Sequence, residues 1–116
     1  HREVVQGMPR GGEQEVRVLF ATLLPGDVTP HHSHRFPVTV FMLEGTFTLE
    51  LKGRAPVDIE AGHVFVEPAD VAMMGFNKGK IPARMALFYV CEPDAPFADP
   101  AKASDPESPS SQDTRR

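Results

Sequence analysis

Three of the five histidines lie within four positions, at His31, His32 and His34. In a β-strand, side chains two residues apart point to the same face of the sheet. A strand through this stretch would therefore present the imidazoles of His32 and His34 side by side, as two nitrogen ligands for one transition-metal ion. By the same parity His31 faces the other way, so it is predicted to lie on the rim and is kept as a backup ligand.

The segments that must position these histidines are short, apolar and separated by glycine or proline. Strands are predicted at residues 15–24, 38–43, 46–51, 56–60, 63–67, 71–76 and 83–91, with a short edge strand around Val4 and Val5. The segment 83–91 also contains good helix formers, but a strand is preferred because every other element is one. Short strands at this spacing favour an all-β, antiparallel sandwich or barrel.

Size, charge and cysteine content narrow the class of protein. A chain of 116 residues has room for one ordinary core. The net charge is −4 and no basic cluster occurs, so nucleic acid is not an expected partner. No apolar run is long enough to cross a bilayer, so no membrane partner is expected. Cys91 is the single cysteine, and the chain begins at His1, which indicates a processed or trimmed product and leaves a cytoplasmic and a periplasmic location both open.

The composition changes after residue 91. Residues 92–116 are rich in proline, serine and acidic side chains and have little apolar surface to bury. We therefore predict a barrel domain over residues 1–91 and an extended or disordered tail over 92–116, in which Phe97 is able to dock locally.

The spacing of the glycines and histidines is similar to that of a known family. The chain resembles the small single-domain cupins, which are antiparallel jelly-roll barrels, also described as double-stranded β-helices. The matching positions of the two family motifs are Gly26, His32, His34, Gly45, Gly62, Pro68 and Asn77. The resemblance implies a cupin fold, a small-molecule ligand or a metal ion in the barrel and, as is common for small members, a homodimer.

Two positions depart from the ligand set that the resemblance implies. Val38 stands where the family has a glutamate, and Met73 stands where it has the histidine of the second motif. The expected site is therefore reduced to His32 and His34, with Met73 as the candidate third ligand. A thioether beside two imidazoles favours copper, particularly Cu(I), whereas a site without Met73 would take zinc or nickel.

Two charged residues near the site are kept as backup ligands or pocket residues. Glu67 flanks the proline of the second motif, where a carboxylate would act as a general base or a surrogate ligand. Arg84 lies in the last apolar strand; facing inward it would hold a carboxylate substrate, and facing outward it would be a surface charge. Both orientations stay open.

Three functions are compatible with the altered motif. The favoured one is a non-catalytic metal-binding cupin with a His/His/Met-like site. The alternatives are a cupin enzyme, such as an isomerase, lyase or oxygenase, acting on a small molecule in the barrel, and a metal-free cupin that binds a small ligand. Residues of the same parity as the two histidines, among them Val38, Val40 and Met42, predict an apolar wall beside the site.

Overall fold

Alternating apolar and polar side chains give the chain nine β-strands within residues 1–101, the part that this computed structural model describes. The strands are β1 (Glu15–Leu23), β2 (His32–Ser33), β3 (Val38–Glu44), β4 (Thr46–Leu51), β5 (Val57–Glu60), β6 (Val64–Glu67), β7 (Met73–Phe76), β8 (Ala83–Cys91) and β9 (Asp99–Pro100). No helix within these 101 residues is long and apolar enough to cross a membrane.

The strands form two antiparallel sheets that enclose one core. The four-stranded sheet has the order β1-β8-β3-β6, and the five-stranded sheet has the order β5-β4-β7-β2-β9. This arrangement is an antiparallel double-stranded β-helix, or jelly roll, which confirms the predicted fold class. Because sequence neighbours such as β3 and β4 lie in different sheets, residues far apart in sequence meet inside the barrel.

Most strand predictions are confirmed, and two details are wrong. The bounds of β4 and β8 agree with the prediction, and the helical alternative for 83–91 is excluded. The predicted edge strand around Val4 does not form, and Val4 is 99% exposed. The histidine stretch contributes only the two-residue strand β2, so His34 lies one residue beyond the strand end.

Gly45 lies at the corner between the two sheets, where β3 ends and β4 begins. Its backbone has a φ of +74°, which side-chain-bearing residues rarely adopt. A Cβ atom at this position would lie 2.3 Å from the carbonyl oxygen of Pro82. The glycine therefore permits both the left-handed conformation and the close approach of the chain that leads into β8.

The core is built from the inward faces of both sheets. The alternation in β3 buries Val38, Val40 and Met42 completely, as members of the hydrophobic core. Phe47 of β4 lies directly against the backbone of Gly75 in β7, where an added Cβ would come within 2.3 Å of the ring. Apolar burial of this kind is the main favourable term in folding.

The segment after β8 continues along the barrel. The strand β8 ends at Cys91, the predicted domain boundary, and residues 92–101 then cross the barrel and pair as β9 with β2. We call residues 92–101 the C-terminal strap. The remainder of the predicted tail, residues 102–116, lies outside the described residues, and its predicted extended or disordered state stays a prediction.

Candidate functional site

Three potential metal-ligating side chains converge at one end of the barrel: His32, His34 and Glu67. One ligand atom from each lies within 4.8 Å of the other two. The imidazole rings of His32 and His34 are in edge-to-face contact, with centroids 4.8 Å apart. His34 and Glu67 are both buried, at 2% and 5% exposure, and His32 is half-buried, so two of the three side chains are shielded from bulk water. We refer to these three residues as the His/His/Glu cluster.

Backbone carbonyl oxygens determine which ring nitrogens remain available. The Nδ1 of His32 lies 2.8 Å from the carbonyl oxygen of Pro30, and the Nδ1 of His34 lies 2.6 Å from that of Phe97. A carbonyl oxygen only accepts, so each Nδ1 must carry the proton and donate. In the neutral rings both Nε2 lone pairs are therefore free, which is the arrangement that metal-ligating histidines show.

Glu67 supplies the carboxylate that the first motif lacks. It is the last residue of β6, and its Cα lies directly opposite Val38 of β3 in the antiparallel register. Residues opposite each other on paired strands project from the same face of the sheet. The carboxylate therefore enters the barrel from the strand beside the one on which the family motif places it.

The contact between His34 and Glu67 needs a proton or a metal ion between its two atoms. The Nε2 of His34 lies 3.2 Å from Oε1 of Glu67. With Nδ1–H already donated to Phe97, a neutral His34 ring would direct a lone pair at an ionised carboxylate, and two acceptors repel one another. A proton or a metal ion between the two atoms removes this repulsion, so the donor set fits a metal ion.

Burial lowers the pKa of His32. Desolvation is the main cause, and the neighbouring His34 acts in the same direction, whereas the hydrogen bond to Pro30 and the charge of Glu67 oppose it. Metals bind the neutral imidazole, so a depressed pKa keeps the His32 ring ready for coordination at neutral pH.

The other residues singled out from the sequence lie in different places. Met73 is 1% exposed, and its Cα pairs with that of His32, so both side chains project from one face; its role as a ligand stays a prediction. His31 lies outside the His/His/Glu cluster and lines a groove on the barrel surface.

Of the two orientations left open for Arg84, the structure has the outward one. Its Nε donates to Oε1 of Glu44 at 2.7 Å, and half of the side chain is exposed, so Arg84 does not line the barrel.

Aromatic side chains cover the buried face of His34. The ring of Phe97 is 4.7 Å from that of His34 and 5.2 Å from that of Tyr89. Tyr89 is fully buried, and its hydroxyl makes no hydrogen bond within the described residues. Burial raises the pKa of the Tyr89 phenol, and the backbone of Phe36 lowers it to a lesser degree.

Tyr89 and the Phe97 carbonyl were not predicted from the sequence to lie near the site. The signal for Tyr89 was its position, because the only tyrosine of the chain stands within the most apolar strand. A backbone carbonyl leaves no such signal, since every residue carries one.

Comparison with known proteins identifies the family. The pattern of the cupin domain matches residues 19–90, more than half of the chain. The chain belongs to the cupin family. The resemblance noted in the two motifs is thereby confirmed, and the cupin barrel brings together the His/His/Glu cluster described above. A comparison with curated proteins gave no significant match.

Solved structures with the same architecture include proteins of different activities. An RmlC-like cupin from Methanocaldococcus jannaschii is 18% identical, with a TM-score of 0.63 over 79% of this chain and 93% of its own. The polyketide cyclase RemF from Streptomyces resistomycificus is 20% identical, with a TM-score of 0.64 over 81% of this chain and 66% of its own. The DMSP lyase DddQ from Ruegeria pomeroyi is 13% identical, with a TM-score of 0.65 over 86% of this chain and 59% of its own. At these identities the likeness shows a shared fold alone.

Proposed function

We propose that this cupin binds a transition-metal ion through Nε2 of His32, Nε2 of His34 and the carboxylate of Glu67. The observation that carries the proposal is the buried 3.2 Å contact between Nε2 of His34 and Oε1 of Glu67, a pair that needs a proton or a metal ion between its two atoms. Burying a neutral imidazole nitrogen against an ionised carboxylate is energetically unfavourable unless a proton or a metal ion lies between them. The two Nδ1–H bonds to backbone carbonyls support the same assignment.

The carboxylate changes the expected metal. Two imidazoles and one carboxylate form a borderline-to-hard set that suits divalent ions such as Zn²⁺, Ni²⁺ or Fe²⁺. Cu(I), which the sequence favoured, prefers thioether and thiolate ligands and would not be favoured by Glu67. Met73 remains a candidate fourth ligand because its side chain projects from the same face as that of His32.

A bound divalent ion would act as a Lewis acid toward an oxygen of a small ligand. The chain contributes the environment. Glu67 offsets part of the ion's charge, and the buried apolar wall around Val38 excludes water. Phe97 covers His34 from the other side, so a ligand would reach the cluster through a restricted opening.

Metal titration of protein stripped with a chelator tests the proposal. We expect one Zn²⁺ or Ni²⁺ per chain by calorimetry, with no binding in His34→Ala. In Glu67→Gln the metal affinity should fall by well over about 100-fold, because a direct ligand contributes more than the 10–100-fold of an outer-shell group. His63→Ala is the matched control, since His63 is an exposed histidine bonded to its own turn. Unchanged affinity in Glu67→Gln would refute the carboxylate as a ligand, and an equal loss in Met73→Leu would restore the thioether site.

A second candidate function is catalysis on a small molecule in the barrel. The buried, unpartnered hydroxyl of Tyr89 favours it, because such a group is free to donate to a bound ligand. The cyclase and the lyase among the similar structures share the fold that would hold the ligand. Screening metal-loaded protein against small carboxylates, with Tyr89→Phe as the comparison, tests this function; turnover that is equal in both proteins would exclude Tyr89 from the reaction.

The outer face of the edge strand β1 supports the proposal of a homodimer. Val16, Val18 and Phe20 are 72%, 52% and 76% exposed, and Phe88 of β8 lies beside Val18 in register. An apolar stripe on a free sheet edge is a surface that a second copy can cover. We expect a dimer by light scattering and a monomer for Phe20→Lys; a monomeric wild-type protein would contradict this proposal.

A further inference from the structure

His34 needs more than its own strand to hold its ring in place. It lies one residue beyond the end of β2, outside the strand pairing that positions His32. Its backbone carbonyl accepts a hydrogen bond from the amide of Asp70 at 2.7 Å, but that contact leaves rotation about the side-chain bonds free. The orientation of the imidazole must therefore come from contacts made by the ring itself.

Phe97 of the C-terminal strap makes these contacts. Its carbonyl oxygen accepts the Nδ1–H of His34 at 2.6 Å, the shortest of the histidine hydrogen bonds described above. Its ring also packs against the imidazole at 4.7 Å and stands edge-on to Tyr89 at 5.2 Å. One residue thus determines both the tautomer and the tilt of His34, so that Nε2 is aimed at Glu67.

The strap is fastened on the side that leads into Phe97. Nη2 of Arg17 donates to the carbonyl oxygen of Ala95 at 2.6 Å. The backbone amide of Asp94 donates to Oε1 of Glu15 at 2.9 Å. Both partners come from β1, the edge strand of the four-stranded sheet, so the strap is tied to the first strand of the barrel.

The strap is fastened again on the far side of Phe97. Arg35 donates to both carboxylate oxygens of Asp99, at 3.0 and 3.2 Å. The strand β9 pairs with β2, and the amide of Ala101 donates to the carbonyl oxygen of His31 at 3.1 Å. Phe97 is therefore held between two anchors, each of which involves a charged side chain.

We propose that the C-terminal strap is part of the metal site, and that Phe97 is the positioning residue that prepares His34 for coordination. This inference rests on the proposed function, yet the strap lies outside residues 19–90, the part of the chain that matches the cupin domain. Loosening the strap frees the His34 ring without removing a ligand. Outer-shell hydrogen bonds of metal-ligating histidines contribute 10- to 100-fold in metal affinity, so an effect of about that size is expected.

Two substitutions in the full chain loosen the strap, and one serves as the control. Phe97→Ala removes the ring that packs on His34, and Arg35→Ala removes the anchor to Asp99 without touching a ligand. Arg84→Ala is matched to Arg35→Ala, because the two arginine side chains are 53% and 52% exposed and each pairs with one carboxylate. We expect the Zn²⁺ affinity to fall 10- to 100-fold in Phe97→Ala and measurably in Arg35→Ala, with no change in Arg84→Ala. Phe97→Leu, which keeps apolar packing, should recover part of the loss.

A second measurement separates positioning from general destabilisation and does not depend on metal. Hydrogen exchange of the ring N–H protons, followed by nuclear magnetic resonance of the metal-free protein, reports each Nδ1–H bond. We expect Arg35→Ala and Phe97→Ala to accelerate exchange at His34 and to leave exchange at His32 unchanged, because Pro30 and not the strap accepts the proton of His32.

Equal exchange at His34 in wild type and both variants, or equal affinity loss in Arg84→Ala, would overturn the inference. Absence of metal binding by the wild-type protein with normal protection at His34 would refute the proposed function while leaving the strap's role in orienting the ring intact.

Discussion

Replacement of Tyr89 by phenylalanine is predicted to stabilise the metal-free protein. Tyr89 is completely buried, and its hydroxyl finds no hydrogen-bond partner within residues 1–101. In the unfolded chain the same hydroxyl is hydrated, so folding removes its bonds to water without replacing them. Tyr89→Phe keeps the ring that packs against Phe97 and His34 and deletes only the unpartnered group.

The size of the effect follows from two opposing terms. An unsatisfied buried polar group costs about 1–3 kcal/mol, which Tyr89→Phe would recover. The space left by one oxygen, about 10–15 Å³, costs about 0.3 kcal/mol at roughly 24 cal/mol per Å³. The net gain is therefore about 1–2.5 kcal/mol. With an unfolding entropy of about 2.1 cal/mol/K per residue, a chain of this size should melt about 4–10 °C higher.

Thermal and urea unfolding of chelator-treated protein, followed by circular dichroism, measures this difference. Thr48→Val is the matched control because Thr48 is also buried but its hydroxyl donates to Oδ1 of Asp58 at 2.7 Å. That substitution should lower the free energy of unfolding by about 1.5–3 kcal/mol, the contribution of a hydrogen bond to a charged group. If Tyr89→Phe lowers stability as Thr48→Val does, the hydroxyl of Tyr89 has a partner and the reasoning is refuted.

Three further predictions concern stability, pH and the barrel surface. Gly45→Ala should lower the free energy of unfolding, measured in urea, by at least about 2 kcal/mol, because strain at positive φ adds to the clash with Pro82. Gly26 is also at positive φ, but nothing lies within 4 Å of an added Cβ, so Gly26→Ala should lower it less. Equal losses in the two variants would exclude the clash. Burial lowers the pKa of His32 below 6.5, so just below that pH the unfolded chain binds a proton that the folded chain does not. The metal-free protein should therefore lose stability as the pH falls from 6.5 toward the depressed pKa. The free energy of unfolding should depend less steeply on pH in His32→Asn, and an unchanged dependence would assign the effect to other groups. Arg84→Ala should change the free energy of unfolding by less than about 1 kcal/mol, because its ion pair is exposed, and a larger loss would show that this pair is structurally important.

The strands and the histidine pair could be predicted because their signals are local. Alternation of apolar and polar residues identifies β4 and β8, and the His32-x-His34 spacing places two imidazoles near one another whatever the strand length. The orientation of Arg84 was not predictable, because β8 is apolar on both faces around it. The edge strand expected near Val4 failed since two valines without a paired neighbour bury too little surface to offset the cost of ordering.

The positions of Glu67 and of the Phe97 carbonyl could not be predicted, because they depend on pairing between segments that are distant in the sequence. The sequence shows Glu67 as one loop-flanking acid among others, and only the register between β3 and β6 brings it opposite Val38. The composition of residues 92–116 predicted an extended or disordered tail in which Phe97 docks locally, but it did not indicate that the Phe97 carbonyl would accept a hydrogen bond from His34. Main-chain contacts of this kind depend on where the chain passes and not on which side chain it carries.

The pairing of Val38 with Glu67 has a consequence for how such sites are searched for. A sequence motif covers positions along one strand only, so Val38 at the glutamate position counts as a missing ligand. The sheet is two-dimensional, and the neighbour across the ladder projects from the same face as the residue at the motif position. Cupins that lack the first-motif glutamate should therefore be examined at the residue just before the second-motif proline. A chain set aside as a degenerate cupin on the first motif alone can still bring three potential donors together, as His32, His34 and Glu67 do here.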